Sequence, residues 1–174
     1  SYYAQTSPVG NVFQVYNPKN IAVIGLGVGT LACYSTPESN FTFLEIDPAI
    51  VKIAQEQFSF IKDCMPDNPP RFIIGDGRIE MGKLKDEKFD LIVLDAFSSD
   101  TIPTHLLTVE ALETYKEHLT ENGIILANLS NRYFNLAPAL INNAAQSDLT
   151  GRVRLDRGPR TSYTTSSFWA AFAK

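Results

Sequence analysis

The run Ile21-Ala22-Val23-Ile24 passes without interruption into a turn with glycine at Gly25, Gly27 and Gly29, and this junction constrains the chain more than any other. Four consecutive apolar residues suit a strand covered on both faces, the setting of a central strand in a parallel sheet. Glycines at this spacing let the chain turn sharply and leave its backbone bare at the carboxyl edge of the sheet, where a Cβ would occupy a ligand's space. An adenosine-type ligand is expected there, with Gly25, Gly27 and Gly29 as its contacts.

The strands that follow end in acids. Phe41-Thr42-Phe43-Leu44 leads into Glu45-Ile46-Asp47-Pro48, about 20 residues beyond the glycine turn, where an acid can accept hydrogen bonds from ribose hydroxyls. Arg71-Phe72-Ile73-Ile74 ends in Gly75-Asp76-Gly77, and the nearly continuous apolar run Phe89 to Leu94 ends at Asp95. Ligands of open α/β sheets bind outside the carboxyl ends of the strands, so the glycine turn, Glu45, Asp76 and Asp95 point to one site. Asp47 and Asp76 read equally well as helix caps, since such acids are common in the loops between strand and helix.

Between the strands lie amphipathic stretches. A short helix is expected over 30–35, stopped near Thr36-Pro37. A second begins at Asp47-Pro48 and sets Ile50, Ala54 and Phe58 on one face. A third buries Val109, Leu112, Tyr115 and Leu119; Asn122-Gly123 closes it and opens a fifth strand over 124–129. Another helix spans 136–146, with Asn135 as cap and Pro138 in the first turn, and the aromatic tail over 162–173 reads as a hairpin or edge strands. This alternation predicts an α/β fold: a doubly wound, mostly parallel sheet with a C-terminal antiparallel edge. Residues 1–16 form a short N-terminal remnant and 17–174 the nucleoside-binding domain.

A net charge of −4 without a cluster of Lys and Arg excludes a nucleic-acid backbone as partner and favours a small or cationic substrate. Cys33 and Cys64 lack the spacing of a zinc site, so no metal is expected, and both are read as buried free thiols. There is no signal-peptide pattern and no membrane-length apolar run, so a cytoplasmic location is expected. Because residue 1 is Ser rather than Met, further domains upstream of it are expected.

Asp95-Ala96-Phe97-Ser98-Ser99-Asp100 places two carboxylates around a Ser-Ser turn in a loop long enough to cover a pocket. One acid holding a cation while the other takes a proton would suit an amine; the alternative is an Asx-turn loop in which Asp100 caps a helix. His105 flanks this loop as a substrate-contact candidate, whereas His118 complements the dipole at a helix end.

In combination, Tyr2-Tyr3 with Gly10, the Gly25 to Gly29 turn, Glu45-Ile46-Asp47-Pro48, Gly75-Asp76-Gly77-Arg78, the loop Asp95 to Pro103 and Ser130-Asn131-Arg132-Tyr133 resemble the catalytic domain of the spermidine synthases. The resemblance to these polyamine aminopropyltransferases is nearest for the spermidine-synthase-like domains of bacterial membrane-fused proteins, which implies a membrane segment upstream of a cytoplasmic domain. It implies the Rossmann-like fold of class I S-adenosylmethionine-dependent methyltransferases. It further implies that Gly25 and Gly27 cradle decarboxylated S-adenosylmethionine, Glu45 binds its ribose, and Asp76 and Gly77 meet its adenine. Asp95 would be the catalytic acid and Asp100 the second acid of its loop. Tyr3, Ser98 and Ser99 would contact a polyamine such as putrescine, and the protein would assemble as a homodimer. Two departures bear on the acceptor: Ala96-Phe97 lengthens the loop between the two acids, and the N-terminal β-structured portion of the family is reduced to residues 1–16.

Three other functions share parts of this pattern. An S-adenosylmethionine-dependent methyltransferase has the same fold, but many carry an acid two residues before the first glycine, where this chain has Val23. A nicotinamide dehydrogenase fits less well, because the spacing departs from G-x-G-x-x-G. A domain that binds the nucleoside without turnover is the third.

Overall fold

The computed structural model describes residues 3–96, 102–130, 135–157 and 166–174. Helix α1 (Pro8–Tyr16) starts on the Ser7 side chain, which accepts from Gly10 N, and stops at Asn17 in the left-handed conformation. The chain then runs through β1 (Asn20–Ile24), a 3-10 turn over Thr30–Tyr34, β2 (Asn40–Glu45), α2 (Pro48–Glu56), α3 (Phe60–Cys64) and β3 (Arg71–Ile74). It continues through α4 (Gly77–Lys83), β4 (Phe89–Leu94), a 3-10 turn over Thr104–Leu106, α5 (Val109–Glu117) and β5 (Leu119–Asn128). Helix α6 (Ala137–Gln146), β6 (Thr150–Asp156) and β7 (Ser167–Ala173) complete it.

The strands form one sheet in the order β3-β2-β1-β4-β5-β7-β6, parallel through β5, with β7 antiparallel to both β5 and β6. Successive side chains of a strand point to opposite faces, and β1 shows how both faces become cores. Ile21 and Val23 pack with Val9 and Phe13 of α1, Val51 and Ala54 of α2, and Ile61 of α3. Ala22 and Ile24 pack with Met81 of α4, Leu112 and Tyr115 of α5, and Leu140 of α6. Residues 8–16 therefore share a core with the sheet, Val9 being fully buried.

Several boundaries differ from the sequence-based expectation. Helix α5 ends at Glu117, and β5 begins at once, because Phe89 N donates to His118 O and Phe89 pairs with Leu119. Asn122 and Gly123 thus lie within β5, beside the register shift opposite Phe89 and Leu91, and Leu119 is buried as a strand residue. Phe58 lies beyond α2 and is 40% exposed, stacked on Phe60 rather than buried with Ala54. Within the aromatic tail, β7 is an inner strand; the edge is β6, whose exposed residues carry no apolar signal strong enough to mark it.

The expectation of two buried free thiols is corrected. Cys33 and Cys64 form a disulfide, Cα atoms 4.8 Å apart, with Cys33 exposed. The pairing follows from packing: α3 lies against the 3-10 turn after the glycine turn, and Ile61 comes so close to Gly29 that a Cβ there would stand 2.8 Å from Ile61 Cγ1. No helix among the described residues is long and apolar enough to cross a membrane.

The bridge closes a separation of 31 residues. Replacing both cysteines with serine is expected to lower stability by about 2–4 kcal/mol, read by urea unfolding against the oxidised parent. Equal midpoints would show that the bridge adds nothing to the folded state.

Candidate active site

The carboxyl ends of β3, β2, β1 and β4 stand side by side, and hydrogen bonds just past each strand hold the site's backbone together. Gly25 N donates to Leu44 O, Gly75 N to Glu45 O, and Asp95 N to Ile24 O, each at 2.8–3.0 Å. Gly25 has φ +98°, and a Cβ there would lie 2.6 Å from Asp95 O, so the end of β4 itself demands glycine. Gly27, at φ +55°, has nothing within 4 Å of an added Cβ. Its bare backbone faces open space, as a bound nucleoside needs. Gly29 and Gly77 instead serve close packing, the first against Ile61 and the second against Ile24.

Glu45 is buried and ties the turn to its own strand end: Oε2 accepts from Leu26 N at 2.9 Å and Oε1 from Asp47 N at 3.0 Å. An ionised carboxylate has about four accepting directions, so two remain for hydroxyl donors. Asp47 caps α2, its Oδ1 accepting from Ala49 N at 2.8 Å. Asp76 caps α4 through Arg78 N and Ile79 N, and its other oxygen lies 2.9 Å from His105 Nε2. Burial acts to raise the Asp76 pKa, but the Ile79 and Arg78 amides and the His105 ring together hold it below its ordinary value.

Asp95 is the chemically distinctive group. It is partly buried just beyond β4, with Tyr3 OH donating to Oδ2 at 2.8 Å and Asn128 Nδ2 donating to Oδ1 at 2.8 Å. Removal from water raises its pKa to about 6, although the Asn128 and Tyr3 hydrogen bonds pull the other way. Near neutral pH such a carboxylate is ionised yet basic enough to take a proton. Tyr34 braces this corner, its hydroxyl donating to the backbone oxygens of Tyr3 and Ala4 at 2.9 and 3.1 Å.

Tyr3, Gly25, Glu45, Asp76 and Asp95 therefore gather along one sheet edge, whereas Ser98, Ser99 and Asp100 lie outside the described residues. The structure adds Asn128, which the sequence pattern does not single out. It is 2% exposed, it follows Ala127, which pairs with Leu94, and its Oδ1 accepts from Ser130 N at 3.1 Å. Its signal was a single polar residue closing the apolar run Ile124 to Ala127, in step with Asp95 closing β4. Among the described residues no group of three or more His, Cys, Asp or Glu is placed to hold a metal.

The family described as "Spermine/spermidine synthase domain" matches residues 7–149. The chain belongs to this family. The polyamine aminopropyltransferase of Vibrio vulnificus is 38% identical over 121 residues, a match covering 66% of this chain and 39% of that protein. Among solved structures, spermidine synthase from Thermotoga maritima superposes with a TM-score of 0.70 at 22% identity, covering 93% of this chain and 55% of that one. Human methyltransferase-like protein 13 in complex with SAH gives 0.68 at 22% identity, covering 90% of this chain and 72% of that one. These superpositions establish the fold, the Rossmann-like sheet of the class I methyltransferases. The chain spans well under two thirds of the length of the Vibrio and Thermotoga family members.

The elevated Asp95 pKa has a thermodynamic sign. A carboxyl whose folded-state pKa rises from 3.8 to about 6 favours the folded state when protonated, a contribution lost as pH rises through about 6. Asp95→Asn, neutral at every pH, should therefore exceed the parent in stability at pH 7.5 by about 1–3 kcal/mol, with the gap narrowing below pH 5. Denaturant midpoints at the two pH values measure it; a gap independent of pH would show that Asp95 is not desolvated.

Proposed function

We propose that the chain is the nucleoside-binding catalytic part of an aminopropyltransferase acting on a polyamine such as putrescine. The supporting observation is Asp95, a desolvated carboxylate oriented by Tyr3 and Asn128 at the end of β4 beside the bare Gly25 to Gly27 backbone. In this reading the donor is decarboxylated S-adenosylmethionine, its nucleoside lying along the glycine turn with its ribose on Glu45.

The sulfonium is already an activated leaving group, so the protein's work is alignment and proton removal. The amine nitrogen attacks the methylene carbon next to sulfur. A C–N bond forms, the C–S bond breaks with its electron pair going to sulfur, and methylthioadenosine leaves. Asp95 takes the ammonium proton and Tyr3 walls the acceptor side. Asp100 as the second acid, with Ser98 and Ser99 as acceptor contacts, belongs to the same proposal, as does assembly into a homodimer.

A second reading has its own support in the likeness to human methyltransferase-like protein 13 in complex with SAH. A desolvated base beside a sulfonium serves methyl transfer to nitrogen equally well. Val23 favours the first reading: it is wholly buried in the α1 face, so no acid stands where many methyltransferases place one.

Mass spectrometry of products formed with S-adenosylmethionine or its decarboxylated form, each with a mixture of diamines, separates the two; transfer of methyl alone would overturn the aminopropyl reading. Asp95→Asn should lower kcat/KM about 10²- to 10⁴-fold while still binding methylthioadenosine. The parent's kcat/KM should fall as pH drops through about 6, as Asp95 takes up its proton. Unchanged turnover in the variant would remove Asp95 from the mechanism.

A further inference from the structure

We propose that the Cys33–Cys64 bridge is a redox control on the nucleoside site, fixing the far end of the glycine turn while oxidised and releasing it when a dithiol reduces the bond. The inference rests on the nucleoside site proposed above and assigns a regulation to it.

The two ends of the glycine turn are held by different means. At the near end Gly25 N donates to Leu44 O and Leu26 N to Glu45 Oε2, so β2 fixes it. Beyond Leu26 come Gly27 and Gly29, both at positive φ, and glycine has more backbone freedom to lose than any other residue. Gly29 caps the 3-10 turn over Thr30–Tyr34, which buries Leu31 and Ala32, and Ile61 of α3 closes on Gly29 itself.

Helix α3 does not hold that position unaided. It has five residues, too few to be stable by its own hydrogen bonds, and Ile61 is its one buried residue. Phe58 and Phe60 beside it are 40% and 36% exposed and stack on each other. The tie to the turn is the bridge from Cys64, the last residue of α3, to Cys33 in the 3-10 turn, with Ser35 Oγ donating to Cys64 O at 2.8 Å. The loop that the bridge closes contains β2 and α2, and with them Glu45 and Asp47.

Cys33 is exposed and Cys64 half-buried, so a dithiol has access to the bond. A thiolate of the reductant attacks Cys33 Sγ, and the sulfur–sulfur bond breaks with its electron pair going to Cys64 Sγ, which takes up a proton. The reductant's second thiolate then attacks its own sulfur in the mixed disulfide. Cys33 leaves as a thiolate and is protonated, and the reductant departs as a cyclic disulfide, so two electrons and two protons pass to the protein. With the bond open, α3 opens as a local unit of low stability, Ile61 withdraws from Gly29, and the turn spends less time in the form that accepts a nucleoside.

The probe is 5′-methylthioadenosine, titrated calorimetrically at pH 7.5 into the whole protein after air oxidation, after reduction with dithiothreitol and after reoxidation. Thiols are counted in denatured samples of each. Reduction should expose two thiols and weaken binding roughly tenfold, as when the competent fraction falls to about a tenth, and reoxidation should restore it. Cys33→Ser with Cys64→Ser should bind like the reduced parent and ignore dithiothreitol. Ile61→Ala should weaken binding with the bridge intact and the far-UV circular dichroism unchanged. Equal affinity with and without the bridge overturns the inference, as do free thiols in the air-oxidised parent or an Ile61→Ala variant that binds like the parent. Loss of circular dichroism together with binding on reduction would make the bridge a staple of the whole fold and overturns it as well. A parent that binds no methylthioadenosine in any state overturns the nucleoside site, and the control with it.

Discussion

The pairing of β1 with β4 and β2, carried one hydrogen bond past the last strand residues, is the interaction on which the rest depends. Asp95 N on Ile24 O and Gly25 N on Leu44 O align three chain reversals. With Leu94 opposite Ala127, the next residues, Asp95 and Asn128, come side by side. A slip of one residue would send every side chain of the moved strand to the other face, so the two cores that fix the register also fix the site. Ile21 and Val23 against Ala22 and Ile24 show that lock in a single strand.

Asp95 pays for its position in stability, and the same loss of solvation raises its affinity for a proton. A carboxylate beside Tyr3 and Asn128, just past the buried run Leu91 to Leu94, loses solvation that two hydrogen bonds only partly replace. Its proton affinity rises accordingly. Glu45 has the opposite arrangement: two backbone amides donate to it and brace the glycine turn against α2, and two accepting directions stay open. Two acids on neighbouring strand ends thus take different roles because one faces backbone donors and the other faces side chains.

Much of this was legible in the sequence. Central parallel strands are apolar from end to end, so a polar residue or glycine closing such a run marks the carboxyl edge, as Gly25, Glu45, Asp76 and Asp95 do. Asn128 obeys the same rule but, as an uncharged amide, gives a fainter signal. Asp47 and Asp76 stayed ambiguous because capping and ligand binding use the same carboxylate oxygens, and only distances separate the two uses. The short helices α3 and α4 and the exposed edge strand β6 left weak periodic signals.

What the sequence determined by itself is the alternation of apolar runs and turn residues, and with it the doubly wound sheet, the glycine turn and the acids at the strand ends, because these depend on local composition and spacing. Tertiary structure alone decided which groups meet. Tyr3 reaches Asp95 across 92 positions, Asn128 across 33 and His105 reaches Asp76 across 29, while Cys33 closes on Cys64 across 31. Such pairings are set by sheet order and by helices packing on its two faces, which no local pattern encodes. They are also what gives Asp95 its basicity and His105 its fixed orientation.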